Sequence, residues 1–186
     1  HRPIGLGSMG WHDMYYHLNV NMDSEEAIKL SNRIYEFISY HAIYNSSKLA
    51  KERGTYSTYK GSLWDKGKLP FDTYKTLCEY RGRSFDATEN LEWSTVRNHI
   101  KKHGMRNSNT MAIAPTATIS SIVGCAQSIE PYYNNIFVYS TLSGDFTMIN
   151  DAFVKDMKEL GVWTIDALEN LKACNGDLTL FEFPKG

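Results

Sequence analysis

Pro115-Thr116-Ala117-Thr118-Ile119, with Ser120 just beyond, is the stretch whose residue types best suit chemistry. The short apolar run before it, 111–114, reads as a buried strand. Pro115 ends any ladder there, because it has no N–H to give. Residues 119–123 read as a helix start. A strand, a proline, Thr-x-Thr and a helix start present free main-chain N–H groups and hydroxyls to an anion. On the local pattern alone, a plain strand-to-helix turn capped by Thr118 accounts for the same residues.

Other candidates are weaker. His99 and His103 stand four apart, a legitimate ligand spacing, but no Cys, Asp or Glu joins them in a metal pattern. With Lys101 and Lys102 beside them they read as a solvated helix end, and no metal site is expected. Residues 5–10 spell G-x-G-x-x-G, yet only four residues precede Gly5 and helix follows helix, so the strand-helix context of a dinucleotide site is missing. Arg106 has the fork to pair with a phosphate or carboxylate. Tethering a loop to a helix end explains it equally well, and no role is assigned.

The elements that must position these residues are mostly helical. A short strand ends at Leu6, and its glycines permit close packing ahead of a helix at 11–18. Asp23 and Glu26 form a capping box for a long helix with Ala27, Leu30, Ile34, Ile38, Ala42 and Leu49 as its buried stripe, closed by Gly54. Residues 56–70 are loop, anchored by Leu63 and Trp64. Helices follow at 73–80 and at 93–103, the second with Val96 and Ile100 inward and Gly104 as its stop. The polar stretch 81–90 is the least ordered candidate. Strands at 110–114 and 136–139 flank the Pro-Thr-x-Thr loop. Helices at 150–160 and 165–173 end at Gly161 and Gly176.

A chain of 186 residues with 42% hydrophobic and 13% aromatic content suits one packed domain or a piece of a larger one. A net charge of −1 gives no electrostatic case for binding DNA or RNA. No apolar run reaches the roughly 20 residues that span a bilayer, and no membrane role is expected. Cys78, Cys125 and Cys174 are odd in number and scattered, which argues against a disulfide framework and for a reducing, cytoplasmic setting.

The segments NSNTMAIAPTATISSIVGCAQSIEP (107–131) and NNIFVYSTLSGDF (134–146) resemble the large (α) subunit of class I ribonucleotide reductase. HRPIGLG (1–7), EFISYHAI (36–43), LAKERG (49–54) and HGMRNSNT (103–110) agree in the family's order. The resemblance weakens after about Gly161. It implies an α/β fold, part of the ten-stranded α/β barrel of that family, helix-rich and incomplete alone. Residues 1–186 would be the C-terminal portion of that barrel domain, as a fragment, a processed product or part of a split subunit, with a sheet edge left open.

The resemblance implies radical-based reduction of ribonucleoside diphosphates to 2′-deoxyribonucleoside diphosphates. In the family the Pro-Thr-x-Thr loop binds the substrate phosphates, which places Pro115, Thr116, Ala117, Thr118 and Ile119 at that site. Ile119 contributes only its N–H, where some relatives carry a hydroxyl. Glu130-Pro131 matches a structural pair that follows the loop. The implied partners are the remainder of the large subunit, a metal-bearing radical-generating small (β) subunit, the ribonucleoside diphosphate, and thioredoxin or glutaredoxin as reductant. No cofactor is expected on this segment.

No catalytic residue is expected either. The family's radical cysteine lies in Asn-x-Cys-x-Glu, which is absent here, so Cys125, Cys78 and Cys174 read as small packed residues. The family's tyrosine relay lies nearer its C-terminus. Tyr132, Tyr133 and Tyr139 are therefore expected to pack with their hydroxyls bonded. Two other readings stand beside this one: a fragment of a class II, cobalamin-dependent reductase, and a non-catalytic nucleotide-binding or assembly remnant.

Overall fold

In the computed structural model, which describes residues 1–85, 87, 89–142 and 144–181, helices dominate. They are α1 (Trp11–His17), α2 (Glu25–Arg53), α3 (Pro70–Tyr80), α4 (Trp93–His103), α5 (Ala117–Val123), α6 (Asp151–Glu159) and α7 (Ile165–Ala173). Strands β1 (Ile136–Thr141) and β2 (Gly144–Ile149) lie between α5 and α6. The chain divides into two units. The first comprises His1–Ser8 and Asp23–Pro115, the second Met9–Met22 and the residues from Thr116 onward.

In the first unit α2 begins one residue later than the sequence suggests. Ser24, not Asp23, is the N-cap, and its hydroxyl accepts from the Ala27 N–H at 3.1 Å. A short Oγ reaches the third N–H of the helix from the cap position itself. Gly54 ends the helix at φ 77°, as expected.

The buried stripe of α2 differs from the apolar one. Ala27, Glu36, Ile43, Ser46, Ser47 and Ala50 are buried, whereas Leu49 is exposed. Small residues let α4 and the segment after it come close. Ser47 donates to the Gly104 carbonyl at 2.8 Å, and Ser46 Oγ accepts from the Asn107 N–H at 3.1 Å. Glu36 is buried because three donors meet it: the Leu91 N–H at 2.9 Å, Trp93 Nε1 at 3.1 Å and Asn90 Nδ2 at 3.1 Å.

Ile43, Tyr56, Leu69, Trp93, Val96, Ile100 and Met105 form the core of this unit. Each aliphatic member stabilises by about 1.5–3 kcal/mol against roughly 1 kcal/mol for a neutral hydrogen bond, so each outweighs a single neutral bond. The loop anchors are Tyr56 and Leu69. Leu63 is exposed, while Trp64 is half-buried and donates to the Ser108 carbonyl at 2.9 Å. α3 starts at Pro70, three residues before the expected start, since Pro is preorganised for the first helical position and Asp72 accepts the Leu69 N–H at 2.7 Å. α4 runs as expected, with Val96 and Ile100 inward and Gly104 at φ 74° as its stop. Arg106 proves to be a tether, donating to the Arg53 and Gly54 carbonyls at the end of α2. Within the polar stretch 81–90, residues 86 and 88 lie outside the described residues.

The strand expected at 110–114 reduces to one parallel bridge, Leu6 to Met111. The Leu6 N–H donates to the Thr110 carbonyl and the Ala112 N–H to the Leu6 carbonyl, both at 3.1 Å. Ala112, Ile113 and Ala114 are exposed rather than buried, because among the described residues no further strand lies alongside them. Gly7 matters at this contact. A Cβ there would sit 2.3 Å from the Ala112 carbonyl oxygen, too close for any side chain.

In the second unit β1 pairs antiparallel with β2, Ile136 opposite Ile149 and Thr141 opposite Gly144. β2 went unread in the sequence. Its residues are exposed except Ile149, and its polar–apolar alternation runs only from Asp145 to Met148, short for a strand signal. Met157, Ala167, Leu171 and Phe181 form the core here, with Phe153 and Trp163 against it. α6 and α7 are capped by Asn150 and Thr164, whose side chains accept from Ala152 and Ala167 N–H groups. Among the described residues no helix is long and apolar enough to cross a membrane.

Candidate functional site

Pro115 closes the first unit, and Thr116, Ala117, Thr118 and Ile119 belong to the second. The helix starts earlier than the sequence suggests, at Ala117, so the N-cap is Thr116 and Thr118 lies in the first turn. Pro115 cannot occupy a ladder, and the small Ala117 lets the chain turn directly into helix. Thr116 adopts φ 55°, ψ 23°, a left-handed conformation uncommon for a β-branched residue.

Thr116 makes no side-chain cap bond to its own helix. Its hydroxyl instead accepts from the Ser128 N–H at 2.8 Å. The N–H groups of Ala117, Thr118 and Ile119 find no acceptor among the described residues, and the first to be satisfied is that of Ser120, which donates to the Thr116 carbonyl at 2.9 Å. Three successive N–H groups thus point beyond the helix start, where they carry partial positive charge. Ala117, Thr118 and Ile119 are exposed and Ser120 is fully buried, so the loop faces outward from a fixed base. An arrangement of this kind accepts an oxyanion through neutral donors.

The base is built from distant residues. Asp13, in the first turn of α1, accepts the Ala126 N–H at 2.6 Å through one carboxylate oxygen and the Tyr132 hydroxyl at 2.6 Å through the other. The Gly10 N–H donates to the Ala126 carbonyl at 2.8 Å, and His12 Nδ1 accepts the Tyr132 N–H at 3.0 Å. Burial, then the Asp13 hydrogen bond and charge, push the Tyr132 phenol well above the ordinary tyrosine range. Burial, helped by the Asp13 charge, pushes the Cys125 thiol up, which suits a packed cysteine and not a nucleophile. Asp13 was missed in the sequence because more than a hundred residues separate it from its partners.

The remaining candidates fall apart from this loop. All three cysteines are free, and of them only Cys78 is fully buried. Tyr132 is bonded as expected, but Tyr133 is 93% exposed, contrary to the packed role expected for it, since nothing among the described residues covers it. His99 Nδ1 lies 2.8 Å from Ser47 Oγ, with the His103 ring 4.6 Å away. Burial, then the nearby His103 and lysine charges, hold the His99 imidazole below its usual range.

Comparison with known proteins shows the family of the chain. The family described as ribonucleotide reductase, barrel domain, matches residues 1–182. The chain is 51% identical over 185 residues to a ribonucleoside-diphosphate reductase subunit alpha of Chlamydia pneumoniae, covering 98% of this chain and 18% of the relative. Against a ribonucleoside-diphosphate reductase large subunit of Caenorhabditis elegans it is 42% identical over 178 residues, covering 96% and 21% respectively. Against large chain 2 of Saccharomyces cerevisiae it is 38% identical, covering 96% and 19%. The chain therefore spans about a fifth of the length of these relatives.

Proposed function

This chain belongs to the ribonucleotide reductase family, within its barrel domain, and we propose that it carries the substrate-phosphate loop of a ribonucleoside-diphosphate reductase. Residues 1–186 form a C-terminal portion of the ten-stranded α/β barrel in this reading. Thr116 to Ile119 hold the diphosphate of the substrate, with Pro115 setting the turn. The main-chain N–H groups of Ala117, Thr118 and Ile119 donate to phosphate oxygens, and the Thr118 hydroxyl adds a fourth neutral donor. The observation that carries the reading is that run of three N–H groups without an acceptor at an exposed loop.

The reaction reduces C2′ of the ribose. A cysteine radical takes the 3′ hydrogen, water leaves from C2′, a cysteine pair gives two electrons and becomes a disulfide, and the hydrogen returns to C3′. Those cysteines lie in other segments of the subunit, and a metal-bearing small subunit generates the radical. The part of this chain is to anchor the phosphate tail so that the ribose is held in place, which turns an encounter into a positioned reaction.

The test uses the Chlamydia pneumoniae subunit alpha with its matching 185-residue stretch replaced by this chain. Thr118→Val should weaken CDP binding about tenfold, as expected when a donor to a charged group is lost, and leave inhibition by cytidine unchanged. Equal loss for CDP and cytidine, or no loss for either, refutes phosphate anchoring by this loop.

A further inference from the structure

Thr116 holds a left-handed conformation on a β-branched residue, and such a conformation persists only where its surroundings over-determine it. Its hydroxyl is engaged by the Ser128 N–H, so the loop is held only as firmly as residues 126–128 are. That segment is buried at both ends, Ala126 at 1% exposure and Ser128 at 2%, and Ser128 is itself left-handed at φ 46°. Both polar groups of the Ala126 backbone are taken by the start of α1: its carbonyl by the Gly10 N–H, its N–H by Asp13. The second oxygen of Asp13 takes the Tyr132 hydroxyl, bracketing the segment from its far side.

We propose that Asp13 is a positioning residue for the substrate-phosphate loop, acting through Ala126 and Ser128 to hold Thr116 in its left-handed turn. The proposal rests on the loop reading above and adds a residue that never touches the substrate. An acidic side chain is suited to this task. It offers two strong acceptors in fixed directions, and charge-assisted bonds to an N–H and a phenol are firmer than neutral ones. Its negative charge would repel a diphosphate at close range, so its work is done from behind the loop and through the chain.

The experiment is a double-mutant cycle in the same Chlamydia pneumoniae hybrid, read as the ratio of CDP to cytidine affinity. Asp13→Ala and Thr116→Val should each narrow that ratio about tenfold, and the double variant should narrow it no further than about twofold beyond either, since both remove one linkage. Asp13→Asn keeps one oxygen to accept from Ala126 and should retain most of the discrimination. Amide hydrogen exchange over 125–129 should accelerate in both Asp13 variants, most in Asp13→Ala.

If Thr116→Val and Thr118→Val leave the ratio untouched, the loop reading falls and this inference falls with it. If they narrow it while both Asp13 variants do not, or if the two losses simply add, Asp13 alone is wrongly assigned. Should Asp13→Ala yield no folded protein, Asp13→Asn decides: faster exchange with a ratio narrowed measurably but by less than in Thr116→Val supports the proposal, and unchanged exchange or an unchanged ratio overturns it.

Discussion

The Thr116 hydroxyl accepts the Ser128 N–H at 2.8 Å, and both residues stand at positive φ, 55° and 46°. One strained residue is thereby fastened to another. The left-handed region costs a side-chain-bearing residue about 1–2 kcal/mol, and the hydrogen bond returns roughly 1 kcal/mol.

Two substitutions separate these effects. Thr116→Val keeps the shape and the strain but loses the acceptor, leaving a buried N–H unsatisfied. It should lower stability by about 1–3 kcal/mol. Thr116→Gly also loses the acceptor but relieves the strain and should fall near neutral. Denaturant melts of both variants give the comparison. A Thr116→Val variant as stable as the parent would mean that the backbone does not need the threonine hydroxyl, and equal stabilities of the two variants would mean that the left-handed turn carries no strain.

Glu36 gathers the Leu91 N–H, Trp93 Nε1 and Asn90 Nδ2 at the start of α4, and it is only 7% exposed. Removing it strands three donors at once, the buried Trp93 indole among them. Glu36→Ala should destabilise the first unit by about 3 kcal/mol or more, in line with breaking a buried charged network. Glu36→Gln, with one acceptor oxygen left and an NH2 turned toward donors, should lose less. Near-ultraviolet circular dichroism of the Trp93 environment during thermal unfolding reports the change. An alanine variant that melts with the parent contradicts the clamp.

What the sequence reveals here follows physical range. Helix stops are local, so Gly54 and Gly104 were legible where α2 and α4 end. Burial is not local. Ser46 and Ser47 are inside because α4 and Asn107 approach them, while Leu49 stays out, and no periodicity of apolar residues encodes that. Residues 110–114 have strand composition, yet a ladder needs neighbours, and Leu6 supplies one bridge. The Thr-x-Thr loop was visible by its residue types. The Asp13 bracket beneath it was not, since a carboxylate in the first turn of a helix ordinarily reads as dipole complement alone.

Asp72 and Arg97 form a two-pronged ion pair at 2.7 and 2.9 Å that ties α3 to α4. Burial alone raises the Asp72 carboxyl. Hydrogen bonds from Arg97 and the Leu69 N–H, with the Arg97 charge, more than reverse it, and the group ends below its usual range. A carboxylate depressed in the folded state contributes stability above its unfolded pKa of about 3.9, and loses it as pH falls through the lower folded value. Acid titration of the folded fraction should therefore show a loss below about pH 4 that Asp72→Asn flattens. At neutral pH the same variant should cost about 1 kcal/mol, because solvent screens a pair this exposed. An acid limb of equal steepness in parent and variant would remove Asp72 from the account.

Tyr16 and Tyr132 should be among the last tyrosines to ionise. The Tyr16 hydroxyl donates to the Asp156 carboxylate and to the Ala152 carbonyl. That bond to Asp156, then burial, then the Asp156 and Glu159 charges push it up to about 12. Tyr132 rises further, from burial first and Asp13 second. In the unfolded chain both lose their protons near pH 10. The folded protein binds more protons above that point, so the stability of the second unit should fall as pH climbs from about 10 toward the folded values. Tyrosinate absorbance near 295 nm, followed in the parent and in Asp156→Asn, tests the assignment: without the carboxylate charge, Tyr16 should titrate closer to pH 10. If its titration does not move, Asp156 is not what holds that proton.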